Sequence, residues 1–356
     1  MKSKSEYSLC KWCSERQHIK NSRFQNDTDC QICSGLWNQL DHSCSKIIQA
    51  TKNYQYDTFQ IGLTLDHSFY DNEDKFRSRF KIRGKENIKT SLLREIRKKF
   101  GNSSNKKTVL HSPDITINVQ IGKKFETNVY VNSSTLILRG RYNKTKRFQT
   151  STKNSNNDIL EINQRHIEKI LRKEISHQFN SDSIVFWPLG KEEPESLVLG
   201  KGRPFYVSIK NSKIMSFKQR ISIQSNGILF HLLEKVSTLP TSAPLYAKKV
   251  LTLVSFQNKM GTIDFKNLAD SGIIIVELVK RKSKNWKLIY QMDFKVKNQR
   301  KLELIMTCDN GLPVRRFIEG VDDDDISPTL DQILGIKCHC DKIDILDILS
   351  EEDSLI

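Results

Sequence analysis

The hydrophobic pattern changes period several times along the chain, and each change marks an element. In ENIKTSLLREIRKKFG, Ile88, Leu92, Leu93, Ile96 and Phe100 recur at helical spacing, with Gly101 placed to end the helix. GLWNQLDHSCSKIIQAT reads as a short helix closing the first unit, and FQIGLTL, from Phe59 to Leu65, alternates as a strand does. PDITINVQIG alternates through Ile115, Ile117, Val119 and Ile121, and TNVYVNSSTLILRG predicts a further strand. The polar run at 149–158 predicts a linker, and ILEINQRHIEKILRKEISHQF behind it an amphipathic helix. Thereafter strands dominate: SLVL, PFYVSI, RISIQ, KKVLTLVSF, GIIIVELV, WKLIYQMDFKV, KLELIMTC and KCHCDKIDILDI. The fold class is α+β: an N-terminal unit over 1–54, a small α/β module over 55–148, and a mixed, mostly antiparallel sheet domain over 159–350.

Composition narrows this picture. The chain has 356 residues, 37% of them hydrophobic, enough for cored domains. No window approaches 18 consecutive apolar residues and the start lacks the apolar run of a signal peptide, so a cytoplasmic protein without a membrane partner is expected. The net charge of +17 favours a polyanionic partner. The charge is segregated: Lys75 to Lys107 holds thirteen Lys/Arg against Glu86 and Glu95. A second knot, RGRYNKTKR, holds Arg139, Arg141, Lys144, Lys146 and Arg147 around Tyr142, whereas Asp322–Asp325 and Glu351–Asp353 are acidic. Lys89, Arg94, Arg97, Lys98 and Lys99 on the helix, with the five cations of the knot, are therefore the expected RNA contacts.

Four of the eight cysteines form two CxxC pairs, Cys10/Cys13 and Cys30/Cys33, separated by sixteen residues. Each short turn aims two thiolates at one ion, so a tetrahedral structural zinc site with no open position is expected. Cys338 and Cys340 in IKCHCDKI read as two side chains on one strand face. The lone histidines show no ligand spacing. The chain contains no G-x-x-x-x-G-K-[ST], G-x-S-x-G or HExxH, and GKGRPF lacks the third glycine of a dinucleotide fingerprint. What remains is carboxylate chemistry beside an RNA surface, in WPLGKEEPESLVLGKGRPFYVSI, where glycines and prolines frame Glu192, Glu193 and Glu195.

LCKWCSERQ…DCQICSGLW, PDITINV, RGRYNKTKR, LGKGRPF, GLPVRRFIEG and SPTLDQILGIKCHCDKIDILDI, in this order, resemble the archaeal and eukaryotic tRNA pseudouridine synthase family with an N-terminal zinc site and a THUMP domain. The resemblance implies a THUMP-like RNA-binding module followed by a pseudouridine synthase domain. It also implies isomerisation of uridine 54 and/or 55 in the TΨC loop of tRNA, without an organic cofactor or an obligate protein partner. The family's segment GREDVDVRMLGxGRPF, aligned on LGKGRPF, sets Glu193 at the aspartate nucleophile, Lys191 at an arginine and Glu195 at a second aspartate. Its active-site tyrosine falls on Val250 or Leu251, and its GLYVKEF becomes Gly311 to Phe317 with Pro313, Arg315 and Arg316. Lys191, Arg203, Val250, Pro313, Arg315 and Arg316 are thus the expected substrate-binding set, Arg203 serving either as rim or as loop anchor. The replacements at Glu193, Val250 and Pro313 keep a second possibility open, a tRNA-binding relative that has lost turnover.

Overall fold

The computed structural model describes residues 8–19, 27–83, 86–148, 156–181, 183–190, 192–217, 220–240, 246–259, 272–280, 283–320 and 325–349, with side chains except at 156–165 and 280. Contacts divide it into two units. The first comprises Met1–Leu136, Phe179–Ser183 and Ile209–Phe217; the second comprises Ile137–Gln178, Ile184–Ser208 and Lys218–Ile356.

The first unit begins with α1 (Lys11–Arg16) and a 3-10 turn, Leu36–Gln39, running into α2 (Leu40–Thr51). There follow β1 (Thr58–Leu65), α3 (His67–Phe80), α4 (Ile88–Ser104), β2 (Lys107–Thr108), β3 (Ile115–Ile121) and β4 (Thr127–Ser133). Among the described residues its sheet has the order β2-β1-β3-β4, with β1 and β3 parallel and β3 and β4 antiparallel. A parallel pair needs a crossover, which α3 and α4 supply. The alternation of β1 and β3 buries Phe59, Ile61, Leu63, Ile115, Ile117 and Val119; α4, with Leu92, Ile96 and Phe100 buried, packs on β1, and α2 packs on β3 and β4. Phe59 meets Phe100 edge-on, centroids 4.9 Å apart.

Three sequence expectations change here. Helix α3 was not read from the pattern, although Asp66 caps it and Phe69, Glu73 and Phe76 lie on its buried side. Gly101 does not end α4; the helix runs to Ser104, and Asn105 takes the left-handed cap at φ 53°. The N-terminal unit is not separate from the α/β module. Buried Glu73 of α3 is ion-paired with Arg16 of α1, accepts from Gln17 Nε2 at 2.9 Å, and accepts from the Ile88 amide of α4 at 3.0 Å. One carboxylate thus joins the cysteine-bearing turn to both helices.

The second unit holds all or most of β5 (Leu136–Lys144), α5 (Asn156–Phe179), β6 (Ser183–Pro188), β7 (Val198–Lys210), β8 (Ile221–Ser225), β9 (Ile228–Val236) and β10 (Ala247–Phe256). It continues through β11 (Ile274–Lys280), β12 (Ser283–Asn298), β13 (Lys301–Asp309), α6 (Val314–Glu319), β14 (Ile326–Ser327), α7 (Leu330–Leu334) and β15 (Cys338–Leu349). The sheet order is β14-β11-β12-β13-β10-β15-β7-β5-β9-β8, with β6 on β7. Most pairings among the described residues are antiparallel, and β15 meets β7 in parallel. On α5, Ile167, Ile170, Leu171 and Ile175 are buried, as its helical spacing predicts; most of the expected linker lies outside the described residues.

The run TNVYVNSSTLILRG is two strands in two sheets. β4 pairs with β3, whereas β5 pairs with β9, from Ile137 opposite Val236 to Lys144 opposite Ile228. The basic knot therefore belongs to the second unit, not to a module ending at 148. Strand β5 buries every second residue, Leu136, Leu138, Gly140, Tyr142 and Lys144, so its last inward position is a lysine.

Candidate active site

The segment joining β6 to β7 carries the three acids, and the structure gives each a different environment. Its end is fixed by the GKG turn of β7. Gly200 and Gly202 have φ of +57° and +79°; a Cβ on Gly200 would lie 2.5 Å from Asp347 Oδ1, and one on Gly202 would lie 2.8 Å from the Tyr142 carbonyl. Both positions require glycine because the backbone lies flat between β15 and β5. Beyond the turn, Arg203, Phe205, Val207 and Ile209 alternate inward, which takes a guanidinium into the core.

Arg203 is 1% exposed, and its Nη1 donates to Glu192 Oε2 at 2.6 Å. The Tyr142 hydroxyl reaches the same carboxylate, 2.8 Å from each oxygen. Phe186, Phe205 and Phe230 surround the Tyr142 ring at centroid distances of 6.1–6.3 Å. Burial pushes the Tyr142 phenol well above its usual range, with the Glu192 charge adding to the effect. Two buried charges in an apolar pocket must satisfy one another. Arg203, expected either at a rim or as a loop anchor, is buried and meets a carboxylate of the loop, Glu192. Tyr246, at the start of β10, donates its hydroxyl to the Leu189 carbonyl from the same region. Sequence reasoning assigned neither Glu192 nor Tyr246 a role; the inward alternation of β5 and β7 was the available signal for Tyr142 and Arg203.

Glu193 points elsewhere. Its side chain is 30% exposed against 4% for Glu192. Arg315 of α6 holds it in a two-pronged ion pair, Nε to Oε1 at 2.8 Å and Nη2 to Oε2 at 2.7 Å. The guanidinium is itself fixed by Glu319 and by the Cys340 carbonyl. Lys248, buried in β10, donates to the Leu312 carbonyl at 3.1 Å and steadies the approach to α6; burial lowers its pKa. Glu195 is exposed.

The remaining expected substrate contacts divide. Val250 is 1% exposed, paired with Met306 and Ile345 across β13 and β15, so it fills the core and presents no stacking face. Leu251 is partly exposed on the opposite face of the strand. Pro313 caps α6, and Arg316 faces Asp325 at 3.4 Å. Lys191 lies outside the described residues, as do Asp322–Asp324 and Glu351–Asp353.

Among the expected RNA contacts, Lys98 and Lys99 of α4 are exposed, Lys99 beside Asp41, while Lys89 is partly exposed. Arg94 forms a surface pair with Glu86 at 2.7 Å. Arg97 instead donates to the Ile61 carbonyl at 2.7 Å and pins α4 to β1. The cations of the knot also meet partners within the chain. Arg139 pairs with Glu234 at 2.7 Å, Arg141 donates to the Gly202 carbonyl at 3.1 Å, and Arg147 grips Asp344 at 2.6 and 2.8 Å. Lys144 is fully buried, and Lys146 is exposed. Alternation on β5 had fixed this inward aim, which the charge count hid.

Cys10, Cys13, Cys30 and Cys33 are buried, with their ligand atoms all within 4.8 Å of one another and Cys10 Sγ 3.5 Å from Cys33 Sγ. A tetrahedral ion bound by sulfur needs edges of about 3.8 Å, which this cluster fits, so the four cysteines could hold a metal ion. Hydrogen bonding to Cys10 pushes the Cys13 and Cys33 thiols up, while Cys10 and Cys30 go down through bonds to Cys13 and Cys10 respectively. Four thiols sharing protons cannot all ionise together, and a divalent cation resolves that conflict. Cys338 and Cys340 are buried on one face of β15, as their spacing predicts; burial raises both thiols to about 12. No described helix is long and apolar enough to cross a membrane.

The family model described as Pus10 THUMP domain, archaeal, matches residues 44–120, and that described as Pus10, C-terminal, matches residues 137–237. The chain is 29% identical over 349 residues to the tRNA pseudouridine synthase Pus10 of Nitrosopumilus maritimus, covering 92% of this chain and 87% of that protein. It is 25% identical over 354 residues to the protein of that name from Pyrococcus furiosus, covering 92% and 86%. Among solved structures, a Cbf5-Nop10-Gar1 complex matches 62% of this chain and 51% of its own at 9% identity and a TM-score of 0.33, a likeness too slight to bear on mechanism.

Proposed function

Because the chain belongs to the Pus10 family of tRNA pseudouridine synthases, we propose that it isomerises uridine 54, uridine 55 or both in the TΨC loop of tRNA, with Glu193 as the catalytic carboxylate. The observation that carries this reading is the contrast between neighbours: Glu192 is locked in the core, whereas Glu193 is partly open and held by Arg315. A bidentate guanidinium fixes the direction of both carboxylate oxygens, which suits a group that must attack or accept at a set position. In the reaction the N1–C1′ bond breaks, the base turns, and a C5–C1′ bond forms; the proton lost from C5 is matched by one taken up at N1. Nothing is oxidised or reduced, so no organic cofactor is called for. Reaching the base requires taking it out of the loop stack.

Glu193 is one methylene longer than aspartate, and a displacement of about 1 Å at a reacting group can cost roughly a hundredfold in rate. The burial of Val250 favours a second reading, a protein that binds tRNA without turnover, because no aromatic face stands at that position. Both readings share a tRNA surface on α4, a structural zinc ion on the four cysteines, and the cytoplasmic location expected from the sequence.

Purified protein incubated with unmodified tRNA, followed by mapping of pseudouridine, separates them. Product that disappears in Glu193→Ala and persists in Glu193→Asp supports the enzyme. Tight binding without product in the wild type supports the binder. For the surface, Lys98→Glu with Lys99→Glu is expected to weaken tRNA binding and flatten its salt dependence; unchanged affinity would remove α4 from the interface.

A further inference from the structure

The segment bearing Glu193 has an unusual backbone problem. Pro194 supplies no amide hydrogen and restricts Glu193 to extended conformations. Residues 192–197 form no regular strand; the Ser196 amide donates to the Glu193 carbonyl at 3.0 Å within the segment, and the carbonyls take further partners from elsewhere. Those partners come from the end of β5 and the residues just after it. Lys144 Nζ donates to the Glu193 carbonyl at 3.0 Å and to the Pro194 carbonyl at 2.7 Å. The Phe148 amide donates to the Pro194 carbonyl at 3.1 Å, and Arg147 Nη1 donates to the Glu195 carbonyl. Arg147 also grips Asp344 of β15, whose Oδ1 accepts from the Leu197 amide at 3.0 Å. Three successive carbonyls, at 193, 194 and 195, are thereby met by two cations, with the segment closed beyond them by Asp344.

We infer that Lys144 and Arg147 are positioning residues for the catalytic carboxylate: together they clasp the backbone of Glu193, Pro194 and Glu195 and set where the Glu193 side chain meets Arg315. The inference rests on the reading of Glu193 as catalytic. It assigns a use to a motif whose charge alone suggests phosphate contacts. Lys144 spends two of its three donors on these carbonyls and, at 0% exposure, is out of reach of RNA phosphates. The cost of burying that charge is tolerated where the geometry it imposes matters, since a carboxylate on a less firmly held loop would sample positions too far from the target carbon. Arg315 fixes the side chain of Glu193 from one direction and Lys144 fixes its main chain from another.

The test uses the full chain with Lys144→Met, Arg147→Met and Lys144→Arg, beside Glu193→Ala. The expected result for both methionine variants is a fall in kcat of about tenfold or more with KM and tRNA affinity within about twofold of wild type, and an unchanged salt slope of binding. Lys144→Arg, which keeps a buried donor, is expected to recover part of the lost kcat. A readout independent of turnover is hydrogen exchange in peptides spanning 192–200, where protection falls in Lys144→Met while peptides of β12 and β13 remain as in wild type. Weakened tRNA binding with a shallower salt slope would make these residues phosphate contacts and overturn the clasp. Full turnover and unchanged protection in Lys144→Met, with Glu193→Ala inactive, would overturn the clasp alone. Full turnover in Glu193→Ala would overturn the reading beneath it and the clasp together. If wild type forms no product, exchange decides: retained protection in Lys144→Met overturns the clasp, and lost protection upholds its hold on the segment.

Discussion

Removing Glu192 should damage this protein more than its place in an acidic loop suggests. Its carboxylate is 4% exposed, accepts from Arg203 at 2.6 Å, and takes the Tyr142 hydroxyl at 2.8 Å. Glu192→Ala would strand Arg203, itself 1% exposed, and leave the Tyr142 hydroxyl without its carboxylate. It would also withdraw the negative charge that favours protonated Lys144. Breaking a buried ion pair from one side costs about 3–5 kcal/mol, whereas replacing both partners by apolar residues of similar size is often neutral. Expected, then, is a loss of roughly 3–5 kcal/mol in Glu192→Ala and a much smaller loss in Glu192→Met with Arg203→Met. Urea unfolding followed by circular dichroism and by tryptophan fluorescence, with Trp187 on neighbouring β6 as one reporter, would measure both. A single variant within about 1 kcal/mol of wild type, or a double variant that loses the sum of its two singles, would refute the coupling.

Two other outcomes follow from buried groups. Burial lowers the Lys144 pKa from the ordinary 10.5 to about 8, so between those values the unfolded chain holds a proton that the folded chain has released. The stability of wild type relative to Lys144→Met should therefore rise with pH through that window, by up to about 3 kcal/mol, read as the difference between paired denaturation curves at each pH. A flat or falling difference would contradict the burial of a charged lysine. For the cysteine cluster, Cys30→Ser should remove about one equivalent of bound zinc and lower the melting temperature, and chelation of wild type should do the same. An unchanged melting curve after complete metal removal would show that the thiols pack without an ion.

The sequence alone determined features whose cause is local. Two cysteines three positions apart meet at one turn whatever the rest of the chain does, and the two CxxC pairs were legible for that reason. Period-two alternation marked β1, β3 and the long strands of the second unit, because burial of one sheet face imposes it directly. The same alternation in β5 already set Tyr142 and Lys144 on the side of Leu136 and Leu138, but a count of charges obscured it. Helix α3 was hidden because its polar residues outweigh a narrow apolar stripe, and Gly101 misled because helix ends depend on cap geometry beyond residue type. What only the tertiary structure decided was the division of labour among charges. Glu192 and Glu193 are adjacent and chemically alike, yet one meets Arg203 and Tyr142 in the core while the other meets Arg315 at the surface. Arg147 finds Asp344 at a separation of 197 positions, and Arg315 finds Glu193 at 122. Charge is fixed by residue type, but its partner is fixed by which strands lie side by side, and no local pattern contains that.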